Sequence, residues 1–80
     1  MHDEIIKVVE NQMRLNDPPE TKQTYDRLLA SGISKTNTLK YLGQCVAVEI
    51  YCVMKNKELY NNERYIKNLL NLPEFPSEEL

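Results

Sequence analysis

An all-α fold of about four helices is what this chain predicts, on three observations. Apolar residues recur every three to four positions in four segments. Helix-start and helix-stop residues separate those segments. No stretch alternates apolar and polar residues at the period of two that a strand requires. The expected helices cover residues 2–14, 18–31, 35–55 and 62–71, joined by short links into an antiparallel bundle-like array.

In the first helix Ile6, Val9 and Met13 form one stripe, with His2 and Ile5 beside it. Asp3 with Lys7, and Glu10 with Arg14, are acid-before-base pairs at the spacing that supports a solvated helix face. Asn16 suits a left-handed terminator, because Asn tolerates positive φ. Next comes Asp17-Pro18-Pro19-Glu20. A residue before proline is held extended, as an N-cap must be, so Asp17 reads as the cap and Pro18 as the first helical residue. Glu20, three positions on, completes an approximate capping box. The second helix turns Thr21, Tyr25, Leu28 and Leu29 inward and closes at Gly32.

Ser34 caps the third helix, where Leu39, Leu42, Val46, Ile50, Val53 and Met54 keep the helical period. Cys45, Ala47, Val48 and Cys52 extend its apolar surface almost all the way round, as expected of a central or interfacial helix. Gly43 costs about 1 kcal/mol of helix propensity relative to Ala, which points to a close helix crossing. The fourth helix is expected to bury Tyr65, Ile66, Leu69 and Leu70 before Pro73 stops it. Residues 1–72 then form one domain and 73–80 a flexible tail.

Bulk properties narrow function by exclusion. Eighty residues allow one small core. A net charge of −2, with both signs interspersed, weighs against nucleic acid, leaving Lys22, Arg27, Lys35, Lys40, Lys55 and Lys57 as a thin stripe for a weak binder. The most apolar run, Cys45 to Met54, is about half the ~20 residues a membrane span needs. Asp3, Glu4 and Lys7 interrupt the first apolar run as no secretion signal would. Cys45 and Cys52 lie seven residues apart on one helix, roughly 10 Å at ~1.5 Å per residue, too far for a disulfide. They read as reduced core residues of a cytoplasmic protein.

Four residues are candidates for chemistry: His2, Glu10, Gln12 and Glu49. His2 is the only histidine and has no nucleophile beside it in sequence. Glu49 stands inside the apolar run CVAVEIYCVM. Buried alone it would resemble a catalytic carboxylate; otherwise it faces solvent along a narrow strip or pairs with Lys40, Arg27 or Arg64. Gln12 borders the apolar stripe, placed to hydrogen-bond backbone in the turn that follows. Neither a phosphate-binding loop nor a metalloprotease motif occurs, and no cofactor is implied.

The runs HDEIIKVVENQMRLNDPPETKQTYDRLL, SGISKTNTLKYLGQCVAVEIYCVM and ELYNNERYIKNLLNL resemble a family of small bacterial helical domains of unknown function. Gln12 through Pro19 is the most specific part, and His2, Gln12, Pro18, Gly43 and Tyr65 match its pattern. Ile6, Thr36 and Lys40 stand where that family tends to carry His, so a metal site implied by the resemblance does not carry over. The expected function is a non-enzymatic helical module that forms a homodimer or docks on a protein partner through helix 35–55. The alternatives are a small metal-binding or hydrolytic domain using the His/Glu/Gln cluster, and a weak nucleic-acid binder.

Overall fold

A computed structural model describes residues 2–57, 59–74 and 76, apart from the His2 side chain. It consists of four helices: α1 (His2–Leu15), α2 (Pro19–Ala30), α3 (Lys35–Asn56) and α4 (Asn62–Asn71). Among the described residues there is no strand. Residues Pro73, Glu74 and Pro76 are the described part of the stretch expected to be a flexible tail; the remainder of that expectation lies outside the described residues.

Local chemistry sets the helix ends. At the end of α1, Asn16 adopts φ 53°, its N–H donates to Met13 O, and the N–H of Asp17 donates to Gln12 O. The same pair of closing bonds ends α2, with Gly32 at φ 98°, Gly32 N–H on Leu29 O and Ile33 N–H on Leu28 O. Both are Schellman closures, which satisfy carbonyls that a helix end would otherwise leave bare. Ser34 caps α3 by accepting from Asn37 N–H at 3.2 Å, and Asn61 caps α4 by accepting from Arg64 N–H at 3.0 Å.

The start of α2 differs from the expected one. Pro18, extended at φ −77° and ψ 151°, occupies the cap position and Pro19 is the first helical residue, with no side-chain capping bond. Asp17 instead belongs to the closing turn of α1, where its N–H is engaged, so neither Asp17 nor Glu20 forms the expected capping box. The Asp17–Pro18 peptide is cis.

α1 packs on α2 and α3, and α4 packs on α2 and α3. The backbones of α1 and α4 do not approach each other. The core between these layers holds Val9, Leu28, Leu42, Cys45, Val46, Tyr65, Leu69 and Leu72. Leu72, one residue past α4, is buried, whereas Leu70, expected inside, is exposed. The reason is angular: Tyr65, Asn68, Leu69 and Leu72 follow one helical stripe, and Leu70 lies about 100° round from Leu69. Arg27 pins this end of the chain, donating from Nη1 to Leu72 O at 2.9 Å and from Nη2 to Leu69 O at 3.2 Å. Arg27 is thereby committed to carbonyls, and Lys22 to Asp26 at 2.8 Å, which breaks up the basic stripe. Arg14 donates to Asn11 Oδ1 rather than pairing with Glu10.

Gly43 lies where α3 meets α1: a Cβ there would sit 3.2 Å from Ile5 Cγ2 and 3.6 Å from Ile6 Cδ1. A methyl fits only if Ile5 yields slightly, and a larger side chain forces the helices apart. Gly43→Leu is therefore predicted to lower stability by about 1–3 kcal/mol, read from the urea midpoint. An unchanged midpoint would show that the crossing is not close.

Candidate functional site

The gap between α1 and α4 forms a cavity of about 350 Å³ over the second half of α3. Val8 and Gln12 of α1 stand on one side, Tyr65 of α4 and Tyr60 of the 57–61 link on the other. The base is α3, contributing Val46, Glu49, Ile50, Val53 and Met54. Val53 and Met54, expected in the core by their spacing, are exposed at the mouth, because neither flanking helix closes over them.

Of the four candidate residues, Gln12 and Glu49 meet at this cavity. Glu10 is exposed and is not part of the lining. His2 begins α1, and its side chain lies outside the described residues.

Glu49 is 3% exposed and carries the most demanding charge in the fold. Burying a carboxylate without a partner is prohibitive, so its surroundings must supply donors. Arg64 Nε donates to Oε2 at 2.6 Å and Arg64 Nη2 to Oε1 at 3.0 Å, a two-pronged ion pair between α3 and α4. The Asn61 N–H adds a third bond, to Oε1 at 3.1 Å. Of the expected alternatives, pairing with Arg64 is the one found, and a solvent-facing Glu49 is excluded. The apolar surroundings of α3 therefore contain a carboxylate whose charge is already answered.

Gln12 bonds side chains rather than the turn backbone expected for it. Its Oε1 accepts from Tyr65 OH at 2.6 Å and from Thr21 Oγ1 at 2.9 Å. This bond joins α1 to α4 across the gap that their backbones leave open. Burial holds the Tyr65 phenol up at about 12. Cys45, on α3 below, is pushed up to about 12 by burial and then by the Glu49 carboxylate. A thiol held neutral in this way is a poor nucleophile. Tyr60 is also raised, by burial first and then by the carboxylates of Glu49 and Asp17.

The consequence is chemical. Gln12, Glu49, Tyr60 and Tyr65 are polar residues, yet their oxygens are engaged in hydrogen bonds within the protein, and the wall is almost wholly carbon. No free base or nucleophile is presented to the cavity by its described lining. Among the described residues, no three His, Cys, Asp or Glu side chains gather as a metal would require. Cys45 and Cys52 are both buried, and no disulfide joins them. No described helix is long and apolar enough to cross a membrane. Sequence reasoning missed Tyr60 as part of this region, turned Thr21 inward without its bond to Gln12, and named Arg64 only as one of three cations within reach of Glu49.

No protein-family model, curated protein or solved structure matches the chain.

The raised Tyr65 and Cys45 pKa values predict an alkaline loss of stability. Unfolding returns these groups to about 10.0 and 9.0, so above those values the unfolded state releases protons that the native state retains. Stability should be intact below pH 9.0 and fall as pH rises towards 12. Tyr65→Phe should shrink the part of that fall above pH 10.0. Urea titrations at stepped pH would show it; an identical alkaline slope in the variant would refute the assignment.

Proposed function

We propose that this domain is a non-enzymatic association module whose partner is a second copy of the chain. One observation carries the reading: exposed apolar side chains crowd the mouth of a single cavity. Val8, Val53, Met54 and Tyr60 line it, and Leu59 stands beside Tyr60 at 90% exposure. Met54 is 71% exposed. Isolated exposed apolar residues are ordinary, but a contiguous group of this kind marks a contact surface.

Two features favour a second copy. The face offers both a hollow and apolar projections beside it, so a two-fold axis lets each copy's projections meet the other's hollow. The only charged residue in the lining is Glu49, already paired with Arg64, so two such faces meet without like-charge repulsion. The reading retains the expected use of helix 35–55, narrowed to its C-terminal half with the adjoining link. The family resemblance supports it through fold only, since Ile6, Thr36 and Lys40 provide no imidazole set. Two buried cysteines outside a disulfide support a reducing, cytoplasmic setting.

Light scattering over a concentration series should give a mass rising from 9.4 kDa towards twice that value. Met54→Glu places a charge on the exposed contact face and should hold the chain at the monomer mass with its helical circular dichroism unchanged. A wild-type chain that stays monomeric at millimolar concentration would overturn the reading.

A further inference from the structure

The cavity beneath this face is more than a recess for contact. We propose that it binds a compact, uncharged, hydrocarbon-rich small molecule. This goes beyond the association reading and stands on the cavity of a single chain, so the two can fail separately.

Size comes first. About 350 Å³ lies within the roughly 300–1,000 Å³ of small-molecule sites. It is a half-open recess at the surface, walled on three sides by α1, α3 and α4 with its link, so a ligand reaches it without the helices parting. Its wall is carbon from Val8, Val46, Ile50 and Val53, with the rings of Tyr60 and Tyr65 set 6.0 Å apart and tilted by 56°. Filling such a wall returns dispersion contacts that an empty void forfeits. Met54, unbranched and exposed at the mouth, can move aside to admit a ligand.

Polarity comes next. Four residues of the described lining carry polar atoms, Gln12, Glu49, Tyr60 and Tyr65, and the oxygens of each are engaged in hydrogen bonds within the protein. Gln12 Oε1 is taken by Tyr65 and Thr21, and the Glu49 oxygens by Arg64 and Asn61. With the lining oxygens already engaged, a ligand carrying several polar groups into this space would lose hydration and find few partners, a net cost.

Charge then decides between neutral and anionic ligands. Arg64 is the cation at the base, and it is committed to Glu49. Asp17 and Glu49 both act electrostatically on Tyr60 at the rim. An acid or sulfonate entering here finds no cation in the described lining to receive it, and the exposed Asp17 carboxylate acts on the rim at Tyr60. Fatty acids and other amphiphilic anions are thereby disfavoured against neutral molecules of equal hydrocarbon content.

A matched pair of fluorescent probes tests this directly. N-phenylnaphthylamine and anilinonaphthalene sulfonate share one aromatic framework and differ by the anionic group. Titration into the full chain should give saturable fluorescence with the neutral probe, one site per chain, and binding weaker by at least about tenfold with the sulfonate. Val53→Trp, which fills the mouth, should weaken the neutral probe by about tenfold or more, and Val53→Ala should retain it. Val8→Trp fills the same space from α1 should the first variant fail to fold. Asp17→Asn should narrow the difference between the probes. Equal affinity for both probes in the wild type, or neutral-probe binding unchanged in a folded Trp variant, would overturn the proposal. Light scattering on the same samples separates the two readings: a chain that stays monomeric at millimolar concentration yet binds the neutral probe overturns association alone, and a chain that dimerises when concentrated but fails to bind the probe when diluted to the monomer mass overturns the ligand site alone.

Discussion

A carboxylate placed in an apolar helix has to be answered, and the answer given to Glu49 organises much of this domain. Arg64 is 4% exposed and meets it through two nitrogens, while the Asn61 N–H meets it at the point where the link from α3 turns into α4. The ion pair therefore does more than join two helices. It fixes where α4 begins, because Asn61 both donates its N–H to Glu49 and caps the helix through its side chain. An apolar pair of the same volume would bind the helices as strongly or more so, so stability alone does not require charges here. What the pair adds is direction: a carboxylate and a guanidinium fit in one arrangement, whereas apolar surfaces slide.

With α4 set by Glu49 and α1 set by the Gly43 crossing, the two outer helices flank α3 without touching along their backbones. One bond spans the gap, from Tyr65 to Gln12. The cavity is what remains above that bond. Its apolar character follows from the same economy of hydrogen bonds, since Gln12, Glu49 and Tyr65 have been drawn into holding the helices in place. That is also the physical ground against a hydrolytic reading. A general base has to offer a lone pair to a substrate, and the carboxylate oxygens of Glu49 already accept from Arg64 and Asn61.

The legible and illegible parts of the sequence divide by range. Asn16, Gly32 and Ser34 could be placed because a helix end is decided by a few neighbouring residues. The double proline misled by one position: either proline can begin a helix, and the residue before each is held extended, so Asp17 and Pro18 compete for the cap. Glu49 was recognisable as an anomaly, but Arg64 was only one of three cations that might answer it, and choosing requires the tertiary fold. Gln12 could not be given its role, because its partners lie on α2 and α4. Arg64 and Asn68 were hidden by rule, since a pattern of apolar stripes assigns buried polar residues to the surface. Val53 and Met54 followed the core period faithfully, yet the cavity is a missing contact between α1 and α4, and hydrophobic spacing carries no mark of a contact that is not made.

The central claim is that Glu49 and Arg64 act as one unit in setting α4 on α3. A double-mutant cycle tests it most directly, with Glu49→Leu, Arg64→Met and the combined variant followed by urea unfolding. Either single change leaves a buried charge unanswered and is predicted to cost about 3–5 kcal/mol, whereas the double variant should lose much less than the sum. A coupling energy of at least about 2 kcal/mol would support the claim, and additive losses with a coupling near zero would contradict it.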